Sequence, residues 1–149
     1  MSEIANTRLN LVDGYEFKIK FDVEGVPELI VDEVKPIGQN LGPNPRRLLS
    51  AAVGHCLSSS LLFCLRKNKV NVKALETNVN LTANRNKEGY LRVKNLYVRI
   101  CLSVGEDDIS QVDRCLGTFE NYSLVTQSVM RGIKVNIVVN NATKKQTKL

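Results

Sequence analysis

Cys56 sits in the middle of a long apolar segment, twelve residues after Asn44, in the run Pro45-Arg46-Arg47-Leu48-Leu49-Ser50-Ala51-Ala52-Val53-Gly54-His55-Cys56. A cysteine in such a setting is either inert packing or a protected nucleophile. A nucleophile that attacks an O–O bond must be the thiolate. A free thiol with a pKa of roughly 8.5 is only a few per cent ionised at pH 7, and burial pushes it further up. A reactive Cys56 therefore calls for a nearby positive charge. Arg46 is a candidate to supply it. Together with Arg47 it is equally suited to hold an anion at a helix start, where unpaired N–H groups already favour phosphate or carboxylate, and the plain alternative is a solvated first-turn arginine.

The other side chains with chemical potential are few. His55, the one histidine, adjoins Cys56 in sequence, but helix neighbours point about 100° apart and do not meet. A packing or hydrogen-bonding role is expected, with contact to a second subunit's thiol as the alternative. Ser123 stands where a helix starts and reads as its N-cap; its hydroxyl also suits a hydrogen bond to a ligand or a thiolate. Cys64, Cys101 and Cys115 read as small core residues. No Cys-x-x-Cys pair or zinc-ligand spacing occurs. Cys56 and Cys64 are eight residues apart, about 12 Å on a helix, too far for a disulfide. Reduced thiols in a reducing compartment are expected. Ser58, Ser59 and Ser60 lack the base and oxyanion loop of a serine hydrolase and read as small helix-packing residues, and no metal site is expected.

These residues need a frame to position them. Asn44 is a good N-cap, Pro45 fits the first helical position, and Arg66 and Lys67 suit a C-terminus, so one helix is expected over 45–67, mostly buried. Alternation of period two over 15–23 and 28–34 predicts a hairpin, with a third strand over 7–12 and a loop over 35–44. Strands are expected over 75–84 and 90–104 around a turn at 85–89. Ile109, Val112, Leu116 and Phe119 give one apolar helical face, and a short helix over 123–131 ends at Gly132. A final strand is expected over 133–139. The sum is an α+β fold with a mostly antiparallel sheet.

Composition bounds the function classes. A chain of 149 residues, 43% hydrophobic, is one domain with a sizeable core; 1–149 is taken as a single domain, with 140–149 as a flexible basic tail. Of the net charge of +6, half resides on Lys144, Lys145 and Lys148. That footprint is weak, and aromatics at 5% leave few stacking platforms, so no nucleic acid is expected as partner. No run of 18 apolar residues and no signal sequence is seen, so no membrane association and a cytoplasmic location are expected.

The element order, the Pro-x-x-Leu-Leu-x-Ala-Ala-x-x-x-Cys segment and the stretch from Tyr122-Ser123-Leu124-Val125 to Gly132-Ile133-Lys134-Val135 resemble the OsmC/Ohr family, osmotically inducible protein C and organic hydroperoxide resistance protein. The likeness covers residues 7 to 140, the N-terminal third in pattern only. It implies an OsmC-like fold with a long central helix, an intertwined homodimer, and reduction of organic hydroperoxides by a peroxidatic and a resolving cysteine. An Arg, oriented by a Glu, would support the thiolate, and no cofactor is needed. Cys56 falls on the peroxidatic position. Arg46 stands where the peroxidase branch has its Glu, and Ser123 where it has the resolving cysteine. The supporting Arg has no clear counterpart among Arg8, Lys18 and Lys20. The resemblance thus implies a one-cysteine peroxidase that depends on an external thiol reductant, or a non-catalytic protein binding an anionic-headed hydrophobic or thioester ligand at the dimer interface.

Overall fold

The computed structural model describes residues 3–141 and 144–148. Its centre is helix α1 (Pro45–Lys67), which begins as the sequence dictates: the Asn44 side chain accepts the Arg47 N–H at 3.2 Å, and Pro45 occupies the first turn. Val53, Leu57, Leu61 and Leu65 recur every four residues and form the buried stripe of α1. Against it lies a long antiparallel hairpin, β4 (Ala74–Arg85) with β5 (Leu91–Ser103). Every second residue of β4 turns towards the helix, and Leu75, Leu96, Val98, Ile100 and Leu102 pack on the core. Gly54 brings helix and hairpin together: a Cβ there would lie 2.8 Å from Val79 Cγ2. Ser58 Oγ then reaches Thr77 Oγ1 at 2.6 Å and returns a hydrogen bond to the Gly54 carbonyl at 2.7 Å.

The other face of α1 carries α2 (Ile109–Leu116), a 3-10 turn at Phe119–Tyr122 and α3 (Leu124–Arg131). Cys115 and Phe119 join the buried cluster, with Val112, Val125 and Val129 packed against it. The helix is not mostly buried, as its apolar composition led us to expect. Hairpin and short helices cover only two of its sides, leaving Ala51, Ala52, His55, Ser59 and Phe63 exposed, the last at 70%. By length and composition α1 is also apolar enough to cross a membrane; here it is the element on which the core is built.

The N-terminal third forms a three-stranded antiparallel sheet, β1 (Thr7–Asp13), β2 (Glu16–Phe21) and β3 (Leu29–Val31). Ile19 and Val31 are its buried residues, whereas all of β1, including Leu9 and Leu11, is exposed. The chain returns to α1 through a loop organised by the buried Asp32, whose carboxylate accepts the N–H groups of Glu33 (2.7 Å), Gln39 (2.7 Å) and Leu41 (3.2 Å). Burial raises the Asp32 pKa, but these amides together hold it below its ordinary value. The loop thus fixes the approach to Asn44 and the helix start.

At the C-terminus the structure departs from the sequence expectation. The strand foreseen over 133–139 begins only at β6 (Val138–Asn141). Ile133, Val135 and Ile137 alternate as a strand would but are exposed, and alternation alone supplies no partner for the ladder hydrogen bonds. The supposed flexible tail over 140–149 is in part a strand, β7 (Lys144–Lys148), antiparallel to β6 with Val138 opposite Lys148. Backbone pairing there needs no apolar pattern. Residues 142, 143 and 149 of that supposed tail lie outside the described residues.

The expectation of reduced thiols, with Cys64, Cys101 and Cys115 as small core residues, is also corrected. Cys64 on α1 and Cys115 at the end of α2 are joined in a disulfide with Cα atoms 5.7 Å apart. The two helices cross there, a juxtaposition that spacing along the chain does not reveal. Cys101 is exposed on β5 and so is not a core residue.

Candidate functional site

Cys56 lies where α1 meets the start of α3. The first turn of a helix has N–H groups without intrahelical partners, and those of α3 converge on the Cys56 sulfur. Ser123 Oγ donates to Sγ at 3.2 Å and the Val125 N–H at 3.4 Å. Ser123 is fully buried and occupies the N-cap position foreseen for it, yet its hydroxyl makes no capping hydrogen bond to the helix. It also lies 2.9 Å from Thr126 Oγ1. A hydroxyl has one proton, so when Ser123 gives its own to sulfur, Thr126 can donate to the Ser123 oxygen. The Ser123 carbonyl accepts the Gln127 N–H at 2.9 Å, which fixes the helix start.

These donors decide the ionisation of the thiol. Burial is the largest single influence and raises the Cys56 pKa. The Ser123 hydroxyl and the amides of Val125, Thr126 and Leu124 act in the opposite direction, and together they bring the thiol below its ordinary value. Hydrogen bonds to the charged form favour that form, and the positive end of a helix dipole acts the same way. Within this chain, backbone amides and one hydroxyl act in the direction for which a cationic side chain was expected.

The basic residues lie elsewhere. Arg46 and Arg47 line a cavity of 360 Å³ with Asn44, Ser50, Val79, Asn80 and Leu81 around the start of α1. The buried Asn44 Nδ2 beside it has no hydrogen-bond partner among the described residues. Arg8 and Lys20 line a separate hollow with Asn6, Phe21 and Asp22, and Lys18 pairs with Glu28 at 3.4 Å on the surface. His55 is exposed and meets Ser59 Oγ through Nε2 at 3.3 Å, one turn on. It lines a 460 Å³ cavity between α1 and β4 with Ser50, Gly54 and Thr77. Of the residues singled out in the sequence, the structure thus brings together Cys56 and Ser123 and keeps Arg46, Arg47 and His55 apart from them. Leu124, Val125 and Thr126 were missed, because a backbone donor leaves no side-chain signature. The signal available was the helix start at Ser123, 67 residues from Cys56.

The family model described as OsmC-like protein matches residues 38–138. The chain belongs to the OsmC-like family. A search of curated proteins returned no significant match. Solved structures share the fold at low identity. An OsmC-like protein of unknown function from Vibrio cholerae superposes with a TM-score of 0.69 at 15% identity, over 86% of this chain and 94% of that one. An OsmC-like protein from Mycoplasma pneumoniae gives 0.71 at 12%, over 89% and 91%. The organic hydroperoxide resistance protein of Bacillus subtilis gives 0.57 at 17%, over 88% and 93%. The match to the family begins at Gly38, so it takes in α1, the hairpin and the helices around Cys56 and omits β1 to β3.

Proposed function

We propose that this OsmC-like protein is a one-cysteine thiol peroxidase that reduces organic hydroperoxides and contributes to oxidative-stress defence. The observation that carries the reading is the Cys56 sulfur held by the Ser123 hydroxyl and the first-turn amides of α3. The Cys56 thiolate attacks one oxygen of the hydroperoxide. The O–O bond breaks, the alcohol leaves after taking a proton, and Cys56 becomes a sulfenic acid. Ser123, in the position of the family's resolving cysteine, cannot form a disulfide. An external thiol condenses with the sulfenic acid and releases water; a second one frees Cys56 and leaves as the disulfide. No step calls on a cofactor. Solved relatives from Bacillus subtilis and Legionella pneumophila are described as organic hydroperoxide resistance proteins, which supports the same chemistry.

We further propose that the working form is a homodimer in the cytoplasm, with neither nucleic acid nor membrane as partner. Phe63 on α1, Leu9 and Leu11 on β1, and Ile133 and Val135 are all exposed, apolar side chains that a second copy could cover. The test is consumption of cumene hydroperoxide with a dithiol as reductant. We expect turnover in the wild type and none in Cys56→Ser; equal turnover in both refutes the proposal.

The cavity of Arg46 and Arg47 favours a second reading: binding, without catalysis, of an apolar or thioester ligand with an anionic head. Two guanidinium groups and an orphan amide donor at a helix N-terminus suit such a head. Ligand-dependent thermal stabilisation that persists in Cys56→Ser and is lost in Arg46→Ala supports this reading against the first.

A further inference from the structure

We propose that the Cys64–Cys115 disulfide positions Ser123 and the N-terminus of α3 on Cys56, so that thiol reduction of this bond lowers the reactivity of Cys56 at neutral pH. The inference rests on Cys56 being a reactive thiolate, and not on which oxidant it meets.

The two sulfur sites form one closed ring. Along α1, Cys64 follows Cys56 by eight residues; along the other side of the ring, Ser123 follows Cys115 by eight residues. The disulfide closes one end, and the Ser123 Oγ to Cys56 Sγ hydrogen bond closes the other. Between Cys115 and Ser123 run Gly117, Thr118 and the 3-10 turn Phe119–Tyr122, tied down by the Thr118 N–H to the Cys115 carbonyl at 3.1 Å and the Ser123 N–H to the Glu120 carbonyl at 3.1 Å. The helix before this connector is weakly held. α2 has eight residues, and Ile109 and Leu116 at its ends are exposed. A helix of that length does not persist without packing. Apart from the disulfide, it is held by Val112, by the Phe119 that follows it and, at its start, by the Asn71 N–H to Asp108 Oδ2 at 3.3 Å.

Exchange of the bond would enter from the Cys64 side. Cys115 is sealed from solvent and Cys64 is half-buried, so an attacking thiolate reaches Cys64 Sγ and expels the Cys115 thiolate. Asn68 Nδ2 lies 3.6 Å from both sulfurs, so it can donate a hydrogen bond to that departing thiolate. A second thiol then frees Cys64. The balance is one protein disulfide plus two external thiols giving two protein thiols and one external disulfide. In the cytoplasm such thiols are available, and Cys56 would be most reactive when they are depleted.

The test uses full-length protein with Cys101→Ser as background, so that Cys56 is the one free thiol of the oxidised form. Its rate of alkylation by iodoacetamide is followed from acid to alkaline pH, with and without the further changes Cys64→Ala and Cys115→Ala. We expect the oxidised protein to react about fivefold faster at pH 7, the scale of one lost hydrogen bond of about 1 kcal/mol, and the two profiles to converge at alkaline pH. Where the double variant does not fold, the same comparison is made with the Cys101→Ser protein before and after treatment with a dithiol, locating the label on Cys56 by peptide mass. Superimposable profiles, or an intact mass showing that the aerobically purified protein retains both thiol hydrogens, overturn the proposal. Hydroperoxide turnover is not read here, so its absence would remove the peroxidase reading and leave this inference standing.

Discussion

Ser123→Ala is the most direct test of how the thiol is activated. The change removes the hydroxyl 3.2 Å from Cys56 Sγ and keeps the amides of α3 in place. Because Ser123 makes no side-chain cap to the helix, the loss falls on the thiolate rather than on the start of α3. A hydrogen bond to a charged acceptor is worth about 1.5–3 kcal/mol. Sulfur is the weaker acceptor and the site is partly open to water, so we take about 1 kcal/mol, which near 25 °C is about a fivefold change in a population. At pH values below its pKa, the thiolate fraction of Cys56 should therefore fall about fivefold in the variant, and with it the rate of iodoacetamide alkylation. At pH values where both proteins are fully ionised the rates should agree, since the nucleophile is then the same. A variant that reacts as fast as the wild type throughout would mean that the hydroxyl does not stabilise the charge. A variant slower by a constant factor at every pH would point to access instead of ionisation.

Four further outcomes follow from the same geometry. Ser123→Cys should let the introduced thiol form a disulfide with Cys56 after one equivalent of hydroperoxide, detected by non-reducing peptide mapping, because the two side chains already touch. Folding stability should rise with pH through Cys56. Its folded pKa is depressed, so the unfolded chain keeps a proton the native one has shed. The contribution is complete above the ordinary value of 9.0 and is lost as pH falls through the folded pKa, and denaturant titrations should find this slope absent in Cys56→Ser. Gly54→Val should cost about 1–3 kcal/mol by overpacking, since a Cβ alone already crowds Val79; an unchanged denaturation midpoint would contradict the close approach of α1 and β4. Leu61→Ala, at a residue 1% exposed, should cost about 2–5 kcal/mol, read from the same denaturation curves.

The sequence was most legible where local chemistry decides. Asn44, Pro45 and the basic pair Arg66 and Lys67 mark the ends of α1 at the observed positions, and the alternation in β4 and β5 marks their inward faces. Legibility failed where the answer depended on a distant partner. Ile133 to Ile137 has a strand's pattern but no paired strand among the described residues, and Lys144 to Lys148 has a tail's pattern but a paired backbone. The same division runs through the site. Cys56 and the helix start at Ser123 were each readable from the residues, whereas their meeting across 67 residues was implied only by the family resemblance. The positive potential at the sulfur was sought in charged side chains; within this chain the Ser123 hydroxyl and then the peptide N–H groups of α3 act in that direction.

That origin has an evolutionary and a practical side. An activating guanidinium is a free-standing charge that one substitution deletes and dissolved ions weaken. A thiolate that rests in part on main-chain N–H groups keeps that part of its support through any exchange that preserves the bend into α3. Contacts this short are also little affected by the ionic atmosphere, so the nucleophile should be nearly indifferent to added salt.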